Sequence, residues 1–413
     1  MSVDNRSRRF LVTGLWGLVA LATGAAAPAL AQETVRIGVL TPLTGGGATY
    51  GTGMSRAYAL VADEINKAGG ISGRKIQLFT EDDQTNPDAG VRGARKLVDV
   101  NKVHALMGTW SSAVTLAVAP IAVAANIPLF CVSSSPAISG LKDNDLVYRT
   151  AYRQDVISGV YALAAQKIGA KTAGMMILNN PYGIGLRDSF PDKFGKVGGR
   201  IAGQATYNAN QPSYRSEIQA ALGSKPDVVL FGGYTPDGIQ VFREWFQLGL
   251  GGTWMGPGFA LDQKFIQGVG AQVAEGTVVV EGAPNSASSA YKNLNQLYRA
   301  AHGEDAEYFA AMAYDHLMVV ALAILAAKGD SSGDAIKANL RVVANAPGKV
   351  VGTWAEAEPL VRKGEKVNYE GASSAVDFDE AGDTKSDFGL YRIKGGKWVL
   401  EQVIKYDALK PLF

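Results

Sequence analysis

The residues of this chain that could do chemistry are serines and tyrosines placed just after short apolar runs. Residues 105–107 lead into Gly108-Thr109-Trp110-Ser111-Ser112-Ala113, and residues 128–132 lead into Ser133-Ser134-Ser135-Pro136. Two later apolar runs end in Asn179-Asn180-Pro181-Tyr182-Gly183 and Gly232-Gly233-Tyr234-Thr235-Pro236-Asp237. Serine hydroxyls and the free N–H groups of a helix start suit a carboxylate, while aromatic rings suit the apolar body of a small molecule. Serine at such a place also caps the following helix. Two serine turns in successive units favour a polar pocket floor over two unrelated caps. This is equipment for recognition, with no bond-breaking group in it.

A search for catalytic groups returns fragments only. Gly51-Thr52-Gly53 and Gly183-Ile184-Gly185 are pieces of a dinucleotide fingerprint, and neither directly follows a strand with an acid at the required distance. The sequence holds no G-x-S-x-G elbow and no G-K-[ST] phosphate loop. Its three histidines, His104, His302 and His316, lack metal-ligand spacing, and His316 lies in an apolar helix, as a satisfied core histidine would. Asp82-Asp83 reads as a strand end before a helix capped at Asn86-Pro87-Asp88 rather than as a metal or acid/base pair. The single cysteine, Cys131, sits in an apolar run as a small core residue, and one cysteine precludes an internal disulfide. We therefore expect no catalytic residue, no metal and no cofactor.

The elements that must position these groups read as an α/β pattern. Residues 35–40 form a buried strand and residues 41–53 a glycine- and threonine-rich loop. A helix follows with Tyr58, Val61, Ala62 and Ile65 on one face, ended by Gly69-Gly70, and then a strand over 76–81. That βαβ unit sets the class, and the ligand in such sheets lies beyond the carboxyl ends of the strands. The rhythm continues with strands near 172–178, 200–207, 227–231, 253–256 and 276–281 and a long apolar helix at 308–328. Residues 354–371 read as a charged, irregular and exposed excursion. A hairpin at 388–393 and 398–404, turned at Gly395-Gly396, closes the chain.

Composition narrows the class further. At 413 residues the chain is long enough for two domains, and 47% hydrophobic with 19% charged residues is globular. The formal charge is +2, and the first 31 residues carry three arginines and one aspartate, so the remainder is near neutral. Neither nucleic acid nor a membrane surface is expected as partner. Arg6, Arg8 and Arg9, the apolar run 11–27 and Ala29-Leu30-Ala31 form an export signal over residues 1–31. Ser7-Arg8-Arg9-Phe10-Leu11 is similar to a twin-arginine signal lacking its spacer residue. The expected location is the periplasm.

The segment IGVLTPLTG, the pair Tyr50-Gly51, and AGGISGRKI followed by Glu81-Asp82-Asp83 resemble the periplasmic leucine/isoleucine/valine-binding proteins. These are the type I solute receptors of ABC transporters. The resemblance implies two lobes, each a mainly parallel sheet flanked by helices, joined by three hinge crossings near Tyr152, Gly282 and Asp383. Lobe one would be residues 33–152 plus 282–382, and lobe two residues 153–281 plus 383–413. It implies that Ser111, Ser112 and Ala113 hold a carboxylate and that Ser133 and Ser134 meet an ammonium. Tyr50, Trp110, Tyr152, Tyr182 and Tyr234 would line the cleft, with Trp110 equally readable as buried packing. One departure stands out. The branched-chain binders place an acid after M-G-P, and here Met255-Gly256-Pro257 is followed by Gly258. Asp237 either replaces that acid or only caps its helix. The implied ligand is a small polar molecule: an amino acid, amide, urea-like compound or small carboxylate. The implied partner is an inner-membrane ABC permease, the protein acting as a monomer. A ligand-sensing subunit of a membrane receptor and an exported amide or amino-acid enzyme are the other readings.

The mature chain should begin at Gln32 or a neighbour, and intact-mass measurement on protein from the periplasmic fraction should show the loss of the export signal over residues 1–31.

Overall fold

The computed structural model describes residues 34–413, so the export signal expected over 1–31 lies outside the described residues. Strand β1 (Val35–Thr41) is buried along its length except at Arg36, as a strand flanked on both sides should be. Helix α1 (Ala48–Lys67) begins earlier than the loop expected over 41–53 allows, and takes Tyr50, Gly51 and Gly53 into its first turns. Glycine serves close packing here rather than loop freedom. A Cβ at Gly51 would lie 2.0 Å from the Pro42 carbonyl oxygen, and one at Gly53 would lie 2.6 Å from the Glu307 carboxylate. Past the helix, Gly69 and Gly70 adopt φ of 107° and 79°, the left-handed conformations that end it.

The unit continues with β2 (Ile76–Asp82), α2 (Pro87–Arg95), β3 (Ala105–Gly108), α3 (Ser112–Ala124), β4 (Leu129–Cys131) and β5 (Val147–Arg149). These strands make a parallel sheet in the order β2-β1-β3-β4-β5. Three-residue β5 is too short to announce itself by pattern. Next come α4 (Gln154–Lys167), β6 (Thr172–Leu178), α5 (Pro181–Lys196), β7 (Arg200–Tyr207), α6 (Arg215–Leu222) and β8 (Val228–Gly232). They are followed by α7 (Thr235–Gln247), β9 (Thr253–Pro257), α8 (Gln263–Val269), α9 (Ala271–Ala274) and β10 (Val278–Ala283). The chain then returns to the first sheet's side with α10 (Ser289–His302), α11 (Tyr308–Ala326) and α12 (Gly333–Ala344), α11 packing along α1.

The stretch read as irregular over 354–371 is instead ordered. Strand β11 (Lys349–Val351), helix α13 (Trp354–Arg362) and strand β12 (Val367–Tyr369) fold there, with β11 and β12 paired in parallel. Thr353 and Glu356 form a capping box at the start of α13, a four-residue signal that the surrounding charges obscured. The hairpin β13 (Asp387–Lys394) and β14 (Lys397–Ile404) completes a second sheet, ordered β14-β13-β10-β9-β8-β6-β7. β13 runs antiparallel to both β10 and β14.

Several polar groups enclosed by this packing are paired. Helix α11 is apolar and long enough to cross a membrane, yet almost all of it is buried inside the fold. Its His316 is the core histidine the sequence suggests: Nδ1 lies 2.8 Å from the Tyr58 hydroxyl and Nε2 2.7 Å from Thr150 Oγ1. Burial pushes its pKa down to about 3. Asp315 accepts from the Tyr369 hydroxyl at 2.8 Å, from the Ala372 and Ser373 N–H groups at 2.7 and 2.8 Å, and from Ser373 Oγ at 2.6 Å. Cys131 is buried, which raises its thiol to about 11.

One buried ion pair joins the two sheets' segments. Arg149, at the end of β5, donates from Nε to Asp383 Oδ1 at 2.8 Å and from Nη1 to the Ser135 carbonyl at 2.9 Å. Asp383 Oδ2 also accepts from Ser139 Oγ at 2.7 Å. Asp383→Ala should destabilise the fold by about 3–5 kcal/mol, because it strands a guanidinium away from water. A urea-unfolding midpoint close to wild type would contradict this.

Candidate ligand-binding site

The serine turns and the aromatic residues meet between the two sheets. Ser111 is the N-cap of α3, yet its side chain makes no capping bond, so the N–H groups of the first turn are not closed off by their own serine. Ser112 follows at the first helical position, and its Oγ accepts from the Ser135 N–H at 3.3 Å. Ser134 Oγ donates to Gln154 Oε1 at 2.6 Å. Ser133 turns the other way. Its Oγ lies 2.8 and 3.0 Å from the carbonyl oxygens of Thr109 and Trp110 and 2.6 Å from Thr115 Oγ1, which ties the two turns together.

Over these hydroxyls stands a wall of rings. Trp110 packs against Tyr234 at 5.0 Å and edge-on to Phe259 at 5.4 Å, while Tyr182 stacks on Tyr234 at 5.9 Å. Phe309, at the start of α11, closes the space beside Trp110 at 6.1 Å. The enclosed cavity is about 20 Å³, room for roughly one water. A larger ligand therefore needs the rings to turn or the sheets to part. Of the residues expected at the site, Trp110, Ser112, Ser134, Tyr152, Tyr182 and Tyr234 line this cavity. Trp110 is thus both wall and buried packing.

The others are placed elsewhere. Ser111, Ala113 and Asp237 line an adjoining outer cleft of about 710 Å³, and Tyr234 lines it too. Tyr50 stands behind the wall, stacked on Trp110 at 5.7 Å, with its hydroxyl 3.1 Å from both Asp262 Oδ2 and the Phe259 carbonyl. Asp237 accepts from the Tyr214 hydroxyl at 3.1 Å, and burial raises its carboxyl above the usual range. Asp82 accepts from the N–H groups of Leu43, Thr44 and Gln84 and from Thr44 Oγ1, so it pins the loop before α1. Among the described residues no cluster of three His, Cys, Asp or Glu could hold a metal.

Sequence reading missed Phe259 and Phe309, which complete the wall, and two buried carboxyls behind it. Phe259 directly follows the Met255-Gly256-Pro257-Gly258 turn, which was a usable signal. Glu281, in β10, accepts from the Gly282 N–H at 2.9 Å. A Cβ at Gly258 would lie 2.3 Å from Glu281 Oε2, so the missing side chain at 258 makes the room in which this carboxyl sits. Burial pushes Glu281 up to about 7. Glu307 caps α11 through the Phe309 and Ala310 N–H groups at 2.8 and 3.0 Å. Burial first, and the Glu281 charge to a lesser degree, push Glu307 up to about 8. Neither carboxyl lines the cavity.

Two mainly parallel α/β sheets enclosing a ring-walled cavity, with serine hydroxyls at a helix start, define a two-lobed binding protein of the type I periplasmic class. The family model described as periplasmic binding protein matches residues 34–397, and the chain belongs to that family. A Leu/Ile/Val-binding protein, BraC3 of Rhizobium johnstonii, is 28% identical over 375 residues, covering 90% of this chain and 94% of that protein. The structure of a leucine-binding protein, LivK of Thermotoga maritima, superposes with a TM-score of 0.78 at 23% identity, over 91% of this chain and 99% of the other. A solute-binding protein of an ABC transporter from Rhodopseudomonas palustris, solved with 3,4-dihydroxybenzoic acid, gives 0.72 at 21% identity, over 90% and 98%.

A pH prediction follows from Glu281. A carboxyl raised from 4.5 to about 7 on folding gives stability that is present below about pH 4.5 and lost as pH rises through about 7. Glu281→Gln, which cannot ionise, should gain in melting temperature relative to wild type between pH 5 and pH 8. A difference that stays constant across that range would contradict it.

Proposed function

We propose that this protein captures a small carboxylate with an apolar or aromatic body between two closing lobes in the periplasm and delivers it, as a monomer, to an ABC permease. The observation that carries the ligand class is the composition of the cavity. Five rings besides Tyr152 (Trp110, Tyr182, Tyr234, Phe259 and Phe309) enclose it, its only hydroxyls from serine are Ser112 and Ser134, and no carboxylate lines it. Ser112 and the uncapped first turn of α3 suit a carboxylate, since helix N–H groups and the helix dipole both favour negative charge. An ammonium would find no opposite charge on the cavity wall, and leaving it unpaired away from water is expensive. The relative with a bound dihydroxybenzoic acid supports the aromatic carboxylate. The relatives named for leucine favour an α-amino acid, which shares the carboxylate and differs in the ammonium.

The lobe division carried from the resemblance, residues 33–152 plus 282–382 and 153–281 plus 383–413, is supported by the separation of the strands into two sheets. Closure would be a hinge motion in the segments linking them.

Calorimetric titration with benzoate, 3-methylbutanoate, leucine and leucinamide tests the reading. Benzoate or 3-methylbutanoate should bind at least tenfold more tightly than leucine, and the reverse order would overturn the proposal. Ser112→Ala and Ser134→Ala should each weaken the best carboxylate by about 1–3 kcal/mol, because each leaves a buried ligand oxygen unpaired. Asp237→Asn should leave that affinity within about twofold, since Asp237 faces the outer cleft and does not line the cavity.

A further inference from the structure

The central cavity and the outer cleft lie side by side along one seam, and only Tyr234 lines both. The chain passes the boundary residue by residue. Ser111 and Ala113 line the cleft while Ser112 between them lines the cavity, and Asn180 and Pro181 line the cleft while Tyr182 lines the cavity. The Tyr234 ring is held in that boundary from several directions. Its hydroxyl accepts from Asn180 Nδ2 at 3.2 Å and meets the Ser111 hydroxyl, and its ring packs on Trp110 and Tyr182. The loop before α1 lies against the ring, since a Cβ at Gly46 would stand at an ordinary contact distance of 3.5 Å from Tyr234 Cδ2.

We infer that Tyr234 is a partition which sets the length of ligand the cavity admits, and that the cleft beyond it is an extension subsite for the distal part of a longer carboxylate. The cleft's chemistry sets the class of that distal part. Gln84, Asn86, Asn179, Asn180 and Asn210 offer amides as donors and acceptors, and Asp237 is the acid among the residues lining it. Neutral amide or hydroxyl groups match this lining, and a second carboxylate does not, because it would face Asp237. The identity of the carboxylate end rests on the proposed function; the partition itself does not.

The partition can be tested without any ligand. Cys131 is buried, so a Ser112→Cys substitution in the full mature chain places one reactive thiol in the cavity. Its labelling by iodoacetamide should accelerate at least tenfold when Tyr234→Ala is added and stay near its starting rate with Tyr234→Phe, which keeps the ring. Tyr234→Val serves as a second ring-removing variant should Tyr234→Ala fail to fold, as judged by circular dichroism. An unchanged labelling rate in a folded ring-removing variant overturns the partition. The extension subsite is tested by calorimetry on proteins with Ser112 intact, using benzoate, 4-acetamidobenzoate and terephthalate. Wild type should prefer benzoate to 4-acetamidobenzoate, and Tyr234→Ala should shift that ratio at least tenfold toward the longer amide and not toward terephthalate. Faster labelling with an unchanged ratio overturns the subsite. Absence of binding by every carboxylate overturns the ligand class, and the labelling rates then still decide the partition.

Discussion

The buried Arg149–Asp383 pair is the interaction on which the geometry of the site depends. Arg149 ends the last strand of the first sheet, and Asp383 lies four residues before β13 of the second. A guanidinium so enclosed must satisfy its donors within the protein, and it does so on the carbonyl oxygens of the second serine turn. One pair therefore holds Ser133 to Ser135 in shape and ties that turn to the segment leading into the closing hairpin. The serine turn is rigid because its backbone is the solvation shell of a buried charge.

Against that fixed floor the rest of the cavity is built from rings contributed by distant parts of the chain. Trp110 comes from the first sheet's side, Tyr182, Tyr234 and Phe259 from the second, and Phe309 from the start of α11. Their mutual contacts are edge-on, tilted and offset, the arrangements that the ring quadrupole favours. Two hydroxyls of the packed rings are bonded to residues outside the cavity lining. Tyr50 reaches Asp262, and Tyr234 reaches Asn180 and Ser111. The acids near the wall, Glu281 and Glu307, are both turned into backbone N–H groups. A pocket of this kind sorts ligands by shape and by one polar end, and Gly258 is part of the same design because a side chain there would collide with Glu281.

The departure at Gly258 shows what a pattern comparison can miss. Read along the chain, an acid is absent after Met255-Gly256-Pro257, and Asp237 is the nearest substitute in a turn of the right kind. In space, Asp237 belongs to the outer cleft with Tyr214 as its partner. The carboxyl beside position 258 comes from the neighbouring strand β10, with Glu281 placed there by sheet pairing that no local motif records.

What the sequence determined by itself is local. The longer strands of the βα rhythm, helices α1, α2, α3 and α11, the caps at Asn86 and Gly69-Gly70, the terminal hairpin and the core position of His316 follow from periodicity, turn residues and polarity over a few neighbours. The serine and tyrosine turns at strand ends were legible for the same reason, since the end of a parallel strand in such a sheet is where ligands bind. Tertiary structure alone decided which of those side chains share the cavity. Ser134 faces it while Ser133 beside it is spent on the Thr109 and Trp110 carbonyls, and Tyr50 is displaced to a second layer by a helix that starts at Ala48. Phe259, Phe309 and Glu281 enter through contacts between residues far apart in the chain. Side-chain facing in a closed core is set by packing and by the cost of leaving buried polar groups unpaired, and both depend on neighbours that only folding brings together.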